Sequence, residues 1–138
     1  IILDHIGGPI GIGPYSGRRD EVVKLWREGI SNLSRCENVL VKLGGFGMAL
    51  GGFRWHERNA PPSSEDIAKI MSPYYQHCIE MFGVKRCMFE SNFPVDNAST
   101  SYTVLWNAFK RIARDYSESE RSSLFRDTAL KVYRIAAD

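Results

Sequence analysis

The sequence has few cysteines, no long apolar segment and no excess of either charge. Its three cysteines include no Cys-x-x-Cys pair, which argues against a disulfide framework or zinc knuckle and predicts a reducing, cytoplasmic location. No apolar run approaches the roughly 20 residues that a membrane-spanning helix requires. Positive and negative residues are interspersed, with a formal net charge of +2. The sequence therefore predicts neither a nucleic-acid partner nor a membrane partner.

The chain also lacks an initiator methionine and a signal segment at its start. Residues 1–6 are apolar and β-branched, so the chain opens inside a predicted buried strand. We therefore expect residues 1–138 to be a fragment of a longer protein. The composition is 43% hydrophobic and 25% charged, which is typical of one folded domain and excludes disorder.

Short apolar segments alternate with helical patterns along the chain. Strands are predicted at residues 1–6, 39–43 and 86–89, and apolar residues at helical spacing predict helices within 20–36 and 63–82. Alternation of this kind predicts an α/β fold with a parallel sheet and crossover helices. Three strands alone leave both sheet edges unpaired, whereas a complete (β/α)8 barrel needs about 250 residues. A partial TIM-type barrel is therefore the predicted fold.

Capping residues predict where the helices begin. Ser63 with Asp66, and Ser117 with Glu120, have the spacing of capping boxes. Further N-terminal caps are predicted at Ser99 or Thr100 and at Asp127, and Pro73 is expected to kink or split the second helix.

Several catalytic motifs are missing: the sequence has no His-Glu-x-x-His, His-x-His, dinucleotide fingerprint, phosphate loop or Gly-x-Ser-x-Gly. Because parallel α/β folds carry their sites at the carboxyl ends of strands, we predict a site near His5 and residues 44–62 and 90–96. His5 alone could equally cap a loop carbonyl. Arg54, His56 and Arg58 could bind an anion or form a solvated loop, and His77 is predicted to be structural.

Three segments taken together resemble a known family: Leu-Asp-His-Ile-Gly-Gly-Pro at 3–9, Val-Lys-Leu-Gly-Gly at 41–45, and Phe-Gly-Val-Lys-Arg-Cys-Met-Phe-Glu-Ser-Asn-Phe-Pro at 82–94. In this order they are similar to the last three strands of the amidohydrolase-related (amidohydrolase 2) family, whose barrel hydrolases, metal-dependent or metal-independent, include lactonases. The resemblance covers nearly the whole chain and implies the C-terminal part of one barrel domain, about three βα units plus terminal helices.

The resemblance also implies site residues. His5 matches the family histidine after strand six, and Asn92 matches the aspartate of its Gly-Ser-Asp-x-Pro motif, with Glu90 in place of the glycine. A neutral amide cannot act as a general base and is a poor metal ligand. Two nearby acids could supply the missing group. Strand alternation predicts that Glu90 points to the same side as Asn92, and Asp96, which could reach over the barrel mouth, is favoured by its position.

These matches predict a hydrolase of a small lactone or similar cyclic ester or amide. His5 would orient the substrate or water, Asn92 would hydrogen-bond it, and the Arg54, His56 and Arg58 cluster would bind its anionic group. A decarboxylase of the same barrel type and a non-catalytic ligand-binding barrel are the alternatives. We expect no metal or other cofactor in this portion, although the resemblance allows a divalent metal such as zinc in the full-length protein. The expected partner is a small-molecule substrate, and a homo-oligomer is compatible with the fold.

Overall fold

The computed structural model describes residues 1–136. These residues form three strands and five α-helices. The strands alternate with the first two helices, and the other three helices follow the last strand. Their bounds are β1 Ile2–Leu3, α1 Arg19–Leu33, β2 Leu40–Leu43, α2 Ser64–Phe82, β3 Cys87–Phe89, α3 Tyr102–Ile112, α4 Glu118–Ser122 and α5 Thr128–Tyr133. Within this described range, no helix combines the length and the apolar character needed to cross a membrane.

The three strands form one parallel sheet in the order β1-β2-β3. Ile2 pairs with Leu40, and Leu43 pairs with Phe89, so the carboxyl ends of the strands lie at the same edge. This confirms the predicted α/β fold with its parallel sheet. In residues 1–136, β1 and β3 each have a strand neighbour on one side only.

One face of the sheet is covered by helices. Val41 and Leu43 of β2 are fully buried, because α2 packs against their side of the sheet and α3 packs against α2. Phe89 of β3 stacks on Phe109 of α3 with ring centroids 4.7 Å apart. Alternation along β2 directs the half-buried Lys42 to the opposite face, where it lies close to the edge that carries the strand ends.

The structure differs from several expectations for the element boundaries. β1 ends at Leu3 instead of continuing to Ile6, because His5 and Ile6 adopt φ angles of 53° that no strand accommodates. Pro73 lies within the single helix α2 and does not split it. Ser101, rather than Ser99 or Thr100, caps α3.

The predicted capping boxes are confirmed at both places. Ser63 accepts a hydrogen bond from the Asp66 amide at the start of α2, and Ser117 accepts one from the Glu120 amide at the start of α4. Asp127 makes no capping hydrogen bond, because a π-helical turn joins α4 to α5 and leaves no free helix start there.

Trp26 fastens α1 to the strained segment that follows β1. Its indole Nε1 donates to the buried carbonyl of Ile6 at 2.6 Å. Trp106 offers a comparison, because its Nε1 is buried and has no hydrogen-bond partner among the described residues.

We expect Trp26→Phe to lower the free energy of unfolding by about 1–3 kcal/mol, because the Ile6 carbonyl loses its buried donor. The matched variant Trp106→Phe makes the same change of ring without removing a hydrogen bond, so it should lower the free energy of unfolding clearly less. Urea denaturation followed by circular dichroism measures both. Equal losses in the two variants would contradict the assigned role of this hydrogen bond.

Candidate functional site

A histidine–carboxylate pair joins the end of β1 to the end of β3. Nδ1 of His5 lies 2.6 Å from Oε1 of Glu90, and the backbone amide of His5 donates to the same oxygen at 3.3 Å. The side chain of Glu90 is 14% exposed, so solvent screens this pair only weakly. The contact fixes the orientation of the imidazole ring and engages one of its two nitrogens.

Lys42 extends the pair into a network across all three strands. Its ammonium lies 3.4 Å from Oε2 of Glu90 and 3.1 Å from Oδ1 of Asp4. Burial by itself lowers the pKa of Lys42, but the hydrogen bond to Asp4 and the negative charge of Glu90 outweigh this effect and raise the pKa above its ordinary value. Lys42 therefore stays positively charged and holds the two carboxylates together.

Two glycines after β2 allow the loop to approach this network closely. A Cβ at Gly45 would overlap the imidazole of His5, and a Cβ at Gly44 would overlap Glu90. Gly45 also has a φ of 66°, which L side chains rarely adopt. Gly44-Gly45, which ends a strand in the sequence pattern, is thus required here by the packing of His5 and Glu90.

Asn92 and Asp96 form a second polar pair after β3. Nδ2 of Asn92 donates to Oδ1 of Asp96 at 2.9 Å, while Oδ2 of Asp96 is buried and has no hydrogen-bond partner within the described chain. Asn92 has a φ of 52°, and the strand has already ended at Phe89, so strand alternation does not extend from Glu90 to Asn92.

Asp96 does not reach over the edge of the sheet as expected from the sequence. Asp96 is 1% exposed. Ser99, in the same loop, donates to the Gly47 carbonyl at 2.6 Å, and this contact draws the loops after β2 and β3 together around Asp96. Burial raises the pKa of Asp96 to about 6, although the hydrogen bond from Asn92 and the attraction of His5 lower it. The carboxyl group therefore titrates close to neutral pH.

The predicted anion-binding residues lie apart from this network on the loop after β2. Arg54 is exposed and donates through Nε to Glu57 at 2.7 Å, and Nε2 of His56 lies 3.5 Å from Glu57. Arg58 makes no ion pair with the described part of the chain, and together with His56 and Trp55 it lines a cavity of about 330 Å³. Among Arg54, His56 and Arg58, Arg58 is thus the residue without an ion-pair partner in the described part of the chain.

Sequence reasoning missed two members of the site. The sequence pattern predicts Lys42 only as a strand residue, although a lysine inside the apolar run Val-Leu-Val-Lys-Leu is itself a signal of a charged partner. Trp55 precedes His56 in the predicted loop cluster, but the pattern does not predict its packing, in which its ring and the carboxyl of Asp96 flank Gly47. Contacts between residues distant in sequence define both roles.

Comparison with known proteins identifies the family of this α/β fold. A sequence profile of the amidohydrolase family (amidohydrolase 2) matches residues 1–135. The chain is 40% identical to the uncharacterized protein y4mH of Sinorhizobium fredii, over 98% of the chain and 39% of that protein. It is 26% identical to an L-fucono-1,5-lactonase of Burkholderia multivorans, over 98% of the chain and 43% of that protein.

Solved structures agree with this match. A crystal structure of an amidohydrolase from Burkholderia multivorans with bound HEPES has a TM-score of 0.81 and 26% identity, over 98% of this chain and 44% of that chain. A crystal structure with bound zinc has a TM-score of 0.79 at the same identity and coverage. The chain thus belongs to the amidohydrolase family. It spans about two fifths of the length of the curated relatives it matches.

The zinc-bound structure raises the question of whether the present residues fit a metal. Across residues 1–136, no group of three or more His, Cys, Asp or Glu side chains is placed to hold a metal ion. Nδ1 of His5 is engaged by Glu90, and the side chain at position 92 is a neutral amide, which is a poor ligand for zinc. These residues therefore do not fit a zinc site by themselves, and the steps proposed below use side chains of this chain only.

We expect Asp96→Asn to raise the free energy of unfolding above pH 6, by up to about 3 kcal/mol. The folded protein holds the Asp96 proton more tightly than the unfolded chain does, so this group's contribution to stability is lost as the pH rises through about 6. The gain in the variant should therefore disappear near pH 4. Urea denaturation at pH 4 and pH 8 measures both values.

The exposed Asp115, whose side chain is 83% exposed, provides the matched control. Asp115→Asn should show no comparable pH-dependent gain. An Asp96→Asn variant that is destabilised equally at both pH values would contradict the assigned effect of burial on this carboxyl group.

Proposed function

We propose that residues 1–138 are the C-terminal part of a single (β/α)8 barrel and that the complete protein hydrolyses a small lactone or similar cyclic ester or amide. The match over residues 1–135 and the single strand neighbours of β1 and β3 support the partial barrel. The 26% identical lactonase supports the reaction class. In this proposal the active site lies at the carboxyl ends of the strands.

The observation that carries the proposal is the contact between His5 and Glu90. If the neutral imidazole donates its Nδ1 proton to Glu90, Nε2 is left as an acceptor at the strand ends. A carboxylate that orients a histidine in this way also stabilises the imidazolium formed when the ring takes up a proton. His5 is therefore the general base of the proposed reaction, and Glu90 is its positioning residue.

The reaction follows from these roles. Nε2 of His5 removes a proton from water as the water oxygen bonds to the lactone carbonyl carbon. The tetrahedral intermediate then breaks its bond to the ring oxygen, which takes the proton back from the imidazolium. The product is the open hydroxy acid, and the histidine returns to its neutral form.

Asn92 suits the stabilisation of the developing oxyanion. One N–H of its amide is held by Asp96, which leaves the second N–H for the carbonyl oxygen of the substrate. Asp96 is buried and acts through Asn92, so it is a positioning residue in this mechanism. Because burial raises the pKa of Asp96 to about 6, its hold on Asn92 weakens as the carboxylate is protonated below that pH.

We expect His5→Ala in the full-length protein to lower kcat for lactone hydrolysis by about 100-fold or more, because the general base is removed. Arg126→Ala, at an exposed position paired with Asp127, serves as the control and should leave kcat unchanged. Activity is measured by the acid released from a panel of lactones. Unchanged turnover in His5→Ala would refute the site, carbon dioxide release would identify a decarboxylase, and no turnover of any substrate would favour a binding barrel.

Arg58 is proposed to bind an anionic group on the substrate, with His56 beside it and Arg54 held by Glu57. We expect Arg58→Ala to raise KM for a carboxylated lactone while kcat changes little, because such a contact supports the ground and transition states alike. KM for a neutral lactone should not change. An equal rise in KM for both substrates, or a fall in kcat alone, would contradict this role.

A further inference from the structure

A cavity of about 280 Å³ lies directly beside His5. It opens between the loop after β1 and the loop after β2. Apart from Asp4, His5 and glycine backbone, its lining consists of the apolar residues Pro9, Ile10, Phe46, Met48 and Leu50.

The two polar side chains of this cavity each have a partner for one of their atoms. Oδ1 of Asp4 is paired with Lys42 at 3.1 Å, and Nδ1 of His5 is held by Glu90 at 2.6 Å. Nε2 of His5 and Oδ2 of Asp4 are the side-chain atoms of the described lining that remain to bond a ligand. A hydroxyl group that entered the cavity would lose its hydration and find few side-chain partners, which is unfavourable.

The outer wall of the cavity is held in shape by contacts between the two loops. The amide of Gly11 donates to the carbonyl of Leu50 at 2.8 Å. The guanidinium of Arg19 donates to the carbonyl of Gly51 and lies 4.7 Å from the ring centre of Phe53. These contacts hold the wall in one shape before a ligand arrives, which favours binding.

The rim of the cavity exposes two apolar side chains. Ile10 is 41% exposed and Leu50 is 52% exposed, and they come from the two different loops. These two side chains add apolar surface at the mouth of the cavity.

We propose that this cavity binds the apolar body of the lactone, so that the enzyme prefers lactones with alkyl or fused-ring substituents over polyhydroxylated sugar lactones. The assignment rests on the proposed lactone hydrolysis at His5 and names the substrate class for that site. The preference arises because an apolar substituent removes the cavity's apolar surface from water, whereas several hydroxyl groups would find few partners there.

The test compares kcat/KM of the full-length protein for δ-nonalactone, δ-valerolactone and glucono-1,5-lactone, each corrected for spontaneous hydrolysis. We expect δ-nonalactone to exceed both other substrates by about tenfold or more. Leu50→Asn should lower the ratio of δ-nonalactone to δ-valerolactone by about fivefold, because a polar group then faces the butyl chain. Ile10→Asn tests the same effect from the other loop.

Leu25→Asn is the matched control, because Leu25 is 59% exposed on α1 and does not line the cavity. It should leave the substrate ratio unchanged. Hydrolysis of glucono-1,5-lactone as fast as δ-nonalactone, or an unchanged ratio in both cavity variants, would overturn the assignment while leaving lactone hydrolysis intact. Hydrolysis of a carboxylated lactone but of none of these three would overturn this assignment alone. Failure to hydrolyse the three lactones and the carboxylated lactone used to test Arg58 would instead overturn the proposed function, and this assignment with it.

Discussion

The carboxylate of Glu90 is the group on which the arrangement of the site depends. One oxygen meets the imidazole and the backbone amide of His5, and the other lies near the ammonium of Lys42. These contacts connect the ends of all three strands at the edge of the sheet. Because the Glu90 side chain is only 14% exposed, removal of one partner would leave a poorly solvated charge, which is costly.

The site is assembled at the expense of local backbone strain. His5, Ile6 and Asn92 all have φ angles between 52° and 53°, in a region that side-chain-bearing residues seldom occupy. Ile6 is β-branched and fully buried, and Trp26 holds its carbonyl from α1. The buried carboxyl of Asp96 adds an electrostatic cost at neutral pH. The packed helix face of the sheet therefore stabilises an edge that is strained where the chemistry is proposed to occur.

The sequence predicts the core of the fold better than it predicts the arrangement of the site. Alternating apolar segments and the caps at Ser63 and Ser117 predicted the parallel sheet and two helix starts, because these signals are local. The early end of β1 could not be predicted, since the conformation of Ile6 depends on Trp26, which lies 20 residues away in sequence. The burial of Asp96 likewise depends on Ser99 reaching across to Gly47.

A neutral amide at Asn92 suits its contact with Asp96. The interacting atoms of the two side chains are 2.9 Å apart, and two carboxylates at that distance in a buried setting cannot both be ionised. With Asn92, one negative charge remains in the pair, and the amide donates to it. The acidic group lies four residues later in the chain, at Asp96, where it is shielded from solvent. A neutral donor at the strand end then suits an oxyanion better than a carboxylate would, because two negative charges would repel each other there.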